Sequence, residues 1–322
     1  MTTTHKFLTM LEAIGLFVAV VGVILAIASR FSGRRGDRVV AAAFLLPTVA
    51  LISVGLVYPG LKTIYQSVYD AAGSSFIGID NYKTIFSDPD QRTVLRNTVL
   101  WVVITPFVAT GVGLLYAILV DKARVEALAK ALIFLPMAIS FVGASIIWKF
   151  VYEFRPDQPG IKQTGLLNEI IVKLGGSPHQ FLINSPLNTI FLILVMIWIQ
   201  AGFAMTVLSA SIKAIPEDIV EAARLDGVRA WSMFRYVTVP SIRPALIVVL
   251  TTIGIGTLKV FDIVRTMTGG QFDTSVVANE FYSQSFRSNN QGLGAALAVL
   301  LFVLVVPIVA YNVRQLRSSE GR

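Results

Sequence analysis

Residues 221–227 have the sequence Glu-Ala-Ala-Arg-Leu-Asp-Gly, and residues 237–240 have the sequence Val-Thr-Val-Pro. Both lie in a charged, helix-forming island, residues 213–240, between two long apolar segments. A membrane protein that only spans the bilayer and packs against itself has no need of such an island. An island of this kind can contact a partner on the cytoplasmic side. The rest of the sequence indicates whether the island lies on that side.

The composition is that of a membrane protein. Of the 322 residues, 55% are hydrophobic and 14% are charged, whereas soluble domains carry about 25% charged residues. The apolar residues form runs of about 20, the length needed to cross a hydrocarbon core. We therefore predict an all-α, polytopic transmembrane helical bundle of about seven helices. The predicted spans are 7–29, 39–62, 97–120, 131–152, 187–211, 241–263 and 291–313.

The first two spans each allow an alternative. The first can be a signal peptide, because Ala26-Ile27-Ala28 resembles a cleavage site. Its apolar run is long and contains Glu12, and four arginines follow it, so a retained helix is the better interpretation. The second contains Pro47 and Pro59. Since proline removes a helical hydrogen bond, we expect this span to be kinked or to leave the membrane near Pro59.

Several classes of site are excluded by residue counts. The chain has no cysteine, which rules out disulfides and thiolate metal sites, and its two histidines, His5 and His179, are far apart in sequence. We expect no metal centre and no histidine-based catalytic triad. The phosphate-binding pattern G-x-x-x-x-G-K-[ST] is absent, so the chain is not expected to bind ATP. We predict that this chain is not an enzyme and needs no cofactor.

Positive charge sets the predicted orientation. Connections 30–38, 122–130, 213–243 and 314–322 carry four, three, five and three of the 27 Lys and Arg residues. The alternate connections carry nine in all and are longer. Because cytoplasmic loops are enriched in Lys and Arg, the first set is predicted to be cytoplasmic, with the C-terminus inside and the N-terminus outside. The pI of about 9.8 is then explained by positive-inside charge, and no nucleic-acid partner is expected.

The island has helix start and stop signals. Pro216 suits the first helical position, and Glu217 and Asp218 would lie in the first turn, where negative charge favours the helix dipole. The helix is predicted to run to Asp226 and to stop at Gly227, a residue favoured just after a helix C-terminus.

The predicted helix has a face suited to a partner. Ala222 and Ala223 are small and permit close approach, while Glu221 and Asp226 can contact basic groups. A second helical stretch is predicted over 228–236. The alternative is an amphipathic helix that lies on the lipid surface.

Three motifs carry a resemblance to a known family. The Glu-Ala-Ala and Asp-Gly pairs, followed by Pro240, resemble the EAA loop of the permease subunits of bacterial ABC importers. Residues 76–82, Phe-Ile-Gly-Ile-Asp-Asn-Tyr, resemble the external Gly-x-x-Asn-Tyr segment of sugar-type permeases. Thr-Gly-Gly at 268–270 resembles the turn after the penultimate span, although Gln271 stands where the family often has proline. The resemblance covers about 40–315 and is strongest to MalF-like permeases of maltose and α-glucoside importers.

The resemblance implies a type I ABC importer permease fold and a domain order. Residues 1–38 would form an extra transmembrane helix and a basic cytoplasmic loop, and 39–96 the first core helix and an external loop. Residues 97–313 would form the ABC transmembrane type-1 domain, which contains the EAA loop at 213–240. Residues 314–322 would form a cytoplasmic tail.

The resemblance also implies partners. The EAA helix would dock on a dimer of ATP-binding subunits, which would bind ATP and Mg. A second, MalG-like permease and an extracytoplasmic sugar-binding protein would complete an importer in the lipid of the plasma membrane. In maltose-type permeases the sugar contacts come from the two spans that flank the island.

Four residues are therefore candidates for the substrate pathway. Gln200 and Thr257 can hydrogen-bond sugar hydroxyls, and Phe203 can stack on a sugar ring. Lys259 is an ionisable residue inside a predicted span, a type of residue that is functional by default. Lys259 and Asp262 are three residues apart, so they are expected to share a helix face and could form a purely structural pair.

Alternative functions remain open at this point. An α-linked disaccharide or an α-glucoside is the leading substrate, and glycerol-3-phosphate is the alternative, because related permeases carry it. An ion-coupled secondary transporter would need buried carboxylates along a path, and the spans offer only Glu12 and Asp262. An intramembrane hydrolase is disfavoured, because the spans lack a Ser/His/Asp or metal-ligand set.

Overall fold

The computed structural model describes residues 3–30, 34–121, 125–156, 158, 160 and 162–320. Three basic residues of the connections predicted to be cytoplasmic lie outside the described residues. They are Lys122, Arg124 and Arg322. The described residues form helices, with one isolated antiparallel bridge between Tyr69 and Phe76. The predicted all-α class is confirmed.

The chain divides into two compact units, Met1–Tyr65 and Gln66–Arg322. In the first, helices α1 and α2 pack against each other. The helices that begin in this unit are α1 (Thr3–Arg30), α2 (Arg34–Ile52) and α3 (Tyr58–Gln66), with a wide π-helical turn at Ser53–Val57.

The second unit contains the remaining helices. They are α4 (Asp80–Ser87), α5 (Pro89–Val120), α6 (Glu126–Phe134), α7 (Phe141–Val151), α8 (Leu166–Lys173), α9 (Leu187–Lys213), α10 (Glu217–Leu225), α11 (Ala230–Met233), α12 (Val239–Ser241), α13 (Arg243–Leu258), α14 (Asp262–Met267), α15 (Val277–Tyr282) and α16 (Gln291–Glu320). A 3₁₀ turn forms at Leu135–Ala138, and π-helical turns form at Phe234–Thr238 and Ser283–Arg287.

Among the described residues, five helices are long and apolar enough to cross a membrane. They are Phe7–Ala26, Asp37–Gln66, Pro89–Val120, Leu187–Lys213 and Gln291–Tyr311. The count rises to seven if each of two bent helix pairs is one span. The prediction of about seven spans is confirmed on that counting.

The predicted span 131–152 is wrong as a continuous helix. The segments Glu126–Ala138 and Phe141–Val151 meet at an angle of 102°. Pro136 lies in the 3₁₀ turn, and Ser140 starts a new helix by accepting a hydrogen bond from the Gly143 N–H at 3.1 Å. A proline followed by a strong N-cap residue ends one helix and begins another.

The predicted span 241–263 is also corrected. It is bent by 69° where Ala230–Ser241 meets Arg243–Leu258, and its long helix ends at Leu258. A new helix begins at Asp262. The prediction that Lys259 and Asp262 share a helix face is therefore wrong.

Proline shapes the second predicted span and the end of the island in the same way. A wide turn, in which the N–H of Tyr58 bonds the carbonyl of Ser53, comes directly before Pro59. The N–H of Val239 likewise bonds the carbonyl of Phe234, directly before Pro240. A wide turn relieves the clash between a proline ring and the preceding turn. The helix therefore continues past Pro59 and ends at Gln66.

The core of the second unit is built on the contact between α5 and α9. A Cβ placed on Gly113 would lie 2.4 Å from the Cβ of Ala204 and 2.7 Å from the backbone nitrogen of Met205. The two helix backbones can approach so closely only because Gly113 has no side chain, as is common between membrane helices. Helix α13 packs on both α5 and α9.

The two motifs that are predicted to be external form anchored turns. The Asn81 side chain donates hydrogen bonds to the carbonyls of Ser67 (2.9 Å) and Tyr69 (2.8 Å). The Thr-Gly-Gly turn has positive φ at both glycines, 69° and 83°. Asn97 of α5 and Asn188 of α9 donate to carbonyls of the loop that follows this turn. These contacts tie the turn to the N-terminal parts of α5 and α9.

Candidate coupling surface and transport path

Helix α10 carries the candidate coupling residues. Pro216 is its N-cap residue, one position earlier than predicted, and Glu217 and Asp218 lie in its first turn as predicted. The helix ends at Leu225, with Asp226 as the C-cap residue. It follows α9 after only three residues, 214–216, so it is tied closely to a long core helix.

Gly227 ends α10 in the way that the sequence predicts. The N–H of Val228 bonds the carbonyl of Ala223 at 3.1 Å, and the N–H of Gly227 bonds that of Arg224 at 3.0 Å. This pair of bonds is the Schellman motif, which needs a left-handed residue just beyond the helix. Gly227 has a φ of 74°, a conformation that glycine adopts without steric cost.

The surface of α10 is open. Glu221, Ala222, Asp226 and Gly227 are exposed, and Ala223 is half-buried. Large apolar side chains are exposed beside them in the island, with exposed fractions of 49–89%. They are Ile219, Leu225, Trp231 and Tyr236. A surface that combines carboxylates with exposed apolar groups is suited to a protein partner.

Two of the candidate pathway residues lie on α9 at the point where it meets other helices. Gln200 is half-buried, and its Nε2 lies 4.0 Å from the position that a Cβ on Gly256 of α13 would take. Phe203 is half-buried and packs against the main apolar core. Within the described part of the chain no hydrogen bond holds the Gln200 amide, which leaves its donor and acceptor available to a ligand.

The other two candidates lie on or beyond α13. Thr257 is fully buried, and its hydroxyl donates to the carbonyl of Ile253 at 2.7 Å. Lys259 is exposed and follows the last residue of the helix. The structure thus brings Gln200 and α13 together, but the Thr257 hydroxyl is already engaged within its own helix.

A polar network that the sequence does not predict lies at the ends of α5, α6 and α9. The Lys130 ammonium donates to Asp121 at 2.5 Å and to Glu126 at 2.8 Å, and it also donates to the Ser209 hydroxyl. The Ser209 hydroxyl donates to Asp121 at 2.6 Å, and Lys213 pairs with Glu126. The Glu126 and Lys130 spacing was a visible signal, but the contacts to α5 and α9 are tertiary.

No metal centre is indicated within the part of the chain that the structure covers. Among those residues no group of three or more His, Cys, Asp or Glu has the geometry to hold a metal ion.

Comparisons with known proteins agree with the family that the sequence motifs resemble. Residues 109–318 match the profile of the family described as binding-protein-dependent transport system inner membrane component. The chain is 45% identical over 277 residues to the osmoprotective compounds uptake permease protein GgtC of a Synechocystis species, covering 86% of this chain and 99% of that protein. It is 43% identical over 279 residues to the alpha-glucoside transport system permease protein AglF of Rhizobium meliloti, covering 86% and 82%.

A solved structure has the same fold. It is the crystal structure of a bacterial ABC transporter involved in the import of the acidic polysaccharide alginate, with a TM-score of 0.73 and 22% identity. The match covers 86% of this chain and 95% of that one. The predicted type I permease fold is confirmed.

Proposed function

The chain belongs to the family of binding-protein-dependent transport system inner membrane components, and on this premise we propose that it is the permease subunit of an ATP-driven sugar importer. It is a multi-pass protein of the inner membrane. Its substrate is an α-linked disaccharide or an α-glucoside, moved by alternating access between outward-facing and inward-facing states. ATP and Mg are bound by a separate dimer of ATP-binding subunits.

The exposed helix α10 carries this proposal. It lies between α9 and α13 in sequence, its first turn is acidic, and Gly227 ends it in a left-handed conformation. Glu221 and Asp226 offer carboxylates to basic groups, while Ala222 and Ala223 allow close approach. Among the described residues neither carboxylate has an ion-pair partner in this chain. These features support α10 as the element that docks on the ATP-binding subunit.

The name of AglF, but not that of GgtC, supports the substrate class. AglF is named for α-glucosides, and GgtC for osmoprotective compounds. Gln200 and Phe203 supply an amide and an aromatic face, which together suit a hydroxyl-rich ring. Thr257 and Lys259 complete the proposed pathway. A phosphate substrate would want convergent arginines, and Lys259 is the one basic residue among the four proposed pathway residues, which disfavours glycerol-3-phosphate.

The remaining parts of the importer follow from the same proposal. A second, MalG-like permease pairs with this chain, and an extracytoplasmic sugar-binding protein delivers the substrate. The N-terminus lies outside and the C-terminus inside, as the distribution of Lys and Arg favours.

Charge reversal on α10 tests the coupling role. We expect Glu221→Lys to repel a basic docking groove, so that sugar uptake and sugar-stimulated ATP hydrolysis are both lost while the chain inserts normally. Glu169→Lys is a control for the charge change itself, on the short helix α8, although it also breaks the pair of Glu169 with Lys173. Uptake by proteoliposomes that contain the assembled complex measures both variants. Normal coupling in Glu221→Lys would contradict the docking role.

Competition between substrates tests the identity of the transported molecule. Uptake of radiolabelled maltose should be reduced by excess unlabelled α-glucosides and unaffected by glycerol-3-phosphate. Uptake that is driven by a proton or sodium gradient without ATP would instead identify a secondary transporter.

Alanine substitutions test the pathway. Because a lost buried hydrogen bond costs about 1–3 kcal/mol, Gln200→Ala should reduce uptake by about tenfold or more where that contact limits transport. Phe203→Ala should reduce it through the loss of the aromatic face. Both variants should assemble with the ATP-binding subunit. Normal assembly with normal uptake would show that the sugar passes elsewhere.

A further inference from the structure

The network around Lys130 joins three helix ends. Asp121 caps the C-terminus of α5, Glu126 and Lys130 lie in the first turns of α6, and Ser209 and Lys213 lie in the last turns of α9. The Asp121 side chain is 11% exposed, and the Lys130 side chain is 24% exposed. The ion pairs are thus partly shielded from water, where charged hydrogen bonds are stronger than at an open surface.

Helix α6 is attached to α9 at a second point. A Cβ on Gly202 would lie 2.6 Å from the carbonyl oxygen of Ile133 and 3.1 Å from the Cα of Phe134. The backbones of α6 and α9 therefore touch at Gly202, while Lys130 ties α6 to the C-terminal end of α9. Two separate attachments hold α6 along α9 and oppose bending of α9 between them.

The two attachments lie along the part of α9 between the proposed sugar contacts and the charged island, residues 213–240. Gly202 lies between Gln200 and Phe203 in sequence. Lys213 is the last residue of α9, eleven residues further on, which corresponds to about 16 Å along a helix axis. Helix α10 begins four residues after Lys213. The braced part of α9 thus begins at the proposed sugar contacts and ends at the proposed docking helix.

We propose that Asp121, Lys130 and Ser209 are positioning residues that make α6 and α9 move as one rigid body, so that displacement of α10 reaches Gln200 and Phe203. This inference rests on the proposed function, because it assumes that α10 is displaced by an ATP-binding subunit. Without the network, the C-terminal turns of α9 would yield locally, and ATP hydrolysis would proceed without moving the pathway.

The network has a specific chemical requirement. Lys130 donates to three acceptors at once, and the Ser209 hydroxyl both accepts from Lys130 and donates to Asp121. Removal of Lys130 or of Asp121 alone takes the nearest opposite charge from a partly shielded group, which destabilises a protein more than removal of both. This difference separates a positioning role from a stabilising one.

The test uses the assembled complex in proteoliposomes and measures sugar molecules imported per ATP hydrolysed. The variants are Lys130→Met, Asp121→Asn, the double variant with both changes, and Ser209→Ala. Ser211→Ala is the matched control, because among the described residues the Ser211 hydroxyl bonds only the carbonyl of Val207 in its own helix. Membrane insertion and co-purification of the ATP-binding subunit are measured for every variant.

We expect import per ATP to fall by at least about fivefold, the lower end of typical coupling between sites, in Ser209→Ala and in the double variant. Both should assemble normally, since Ser209→Ala removes no charge and the double variant leaves no unpaired one. ATP hydrolysis without sugar should be unchanged or raised. Ser211→Ala should match the unaltered protein.

Two results would overturn the inference. One is normal import per ATP in Ser209→Ala and the double variant. The other is a loss of uptake and ATP hydrolysis in proportion to a loss of assembled complex in all variants, which would assign the network to stability alone. If the unaltered complex itself shows no sugar-stimulated ATP hydrolysis, the proposed function fails rather than this inference.

Discussion

Gly227 shows how a single residue sets the shape of the candidate coupling surface. Its φ of 74° closes the Schellman motif, and a Cβ at this position would meet no atom within 4 Å. The constraint on this residue is therefore its backbone conformation and not its packing. The sequence predicts this feature, because a helix stop at glycine depends only on neighbouring residues.

Gly227→Val should cost about 1–3 kcal/mol, because a β-branched residue is strained at positive φ. The strain should loosen the end of α10 and abolish coupled uptake, while insertion into the membrane stays normal. Gly227→Asn is the control, since asparagine tolerates this conformation. The check is sugar uptake together with sugar-stimulated ATP hydrolysis. Equal activity of the valine and asparagine variants would contradict the conformational role.

Asn188 illustrates a residue whose role no local pattern reveals. Its side chain is fully buried, donates to the carbonyl of Phe272 at 2.6 Å and accepts from the N–H of Thr189 at 2.8 Å. The partner at Phe272 is 84 residues away. A contact of this kind depends on the assembled helices, which is why sequence analysis did not single it out.

Asn188→Ala should destabilise the protein by about 1–3 kcal/mol, because it leaves the buried N–H of Thr189 without its acceptor and removes the donor to the Phe272 carbonyl. Asn184→Ala is the matched control, since Asn184 is exposed four residues earlier. Thermal unfolding of the detergent-solubilised protein compares the two. A melting temperature of Asn188→Ala equal to that of the control would show that the loop after the Thr-Gly-Gly turn is held by other contacts.

At the scale of helices, the sequence predicts the long apolar segments and misses where two of them break. Helices α5 and α9 include the predicted spans 97–120 and 187–211 in full. The bend between α6 and α7 was missed because the apolar run continues through it. The end of α13 at Leu258 was missed although Lys259 and Asp262 interrupt the apolar run there. Hydropathy measures affinity for lipid and does not report the local bonds that end a helix.

The contact between α5 and α9 gives the sharpest prediction at this scale. Gly113→Ala would place a Cβ 2.4 Å from that of Ala204, so the helices must separate and the protein should be markedly destabilised. Gly111→Ala, two residues away on the same helix, meets no atom within 4 Å. It should be neutral or slightly stabilising, because alanine favours helix more than glycine does.

Thermal unfolding and the yield of folded protein compare the Gly113 and Gly111 variants. Equal stability of the two would show that α5 and α9 are not in close contact in the membrane.

For the whole molecule, the sequence predicts the class and the approximate span count, and the orientation that it indicates stays a prediction. The island was found because its signals are local. The substrate path was assigned by resemblance, and in the structure the hydroxyl of Thr257 is engaged within its own helix. The network that ties α6 to α9 depends on residues 79 and 88 positions apart, which no local pattern joins.

Cysteine labelling tests the orientation against a clean background, since the chain has no cysteine. A cysteine in place of Ser177, an exposed residue after α8, should react with an impermeant thiol reagent in intact spheroplasts. A cysteine in place of Ser32, which lies outside the described residues, should react only after permeabilisation. Labelling of the Ser32 position from outside would overturn both the retained first helix and the count of seven spans.

The central claim is that α10 docks on an ATP-binding subunit, and contact mapping in the purified complex tests it most directly. Ala222→Cys places a thiol on the exposed face of α10, where it can carry a benzophenone photo-crosslinker. Illumination should yield an adduct with the ATP-binding subunit, and the same probe at Ser177→Cys should not. Adducts with lipid alone at the Ala222 position would show that α10 lies on the membrane surface, and would contradict the account.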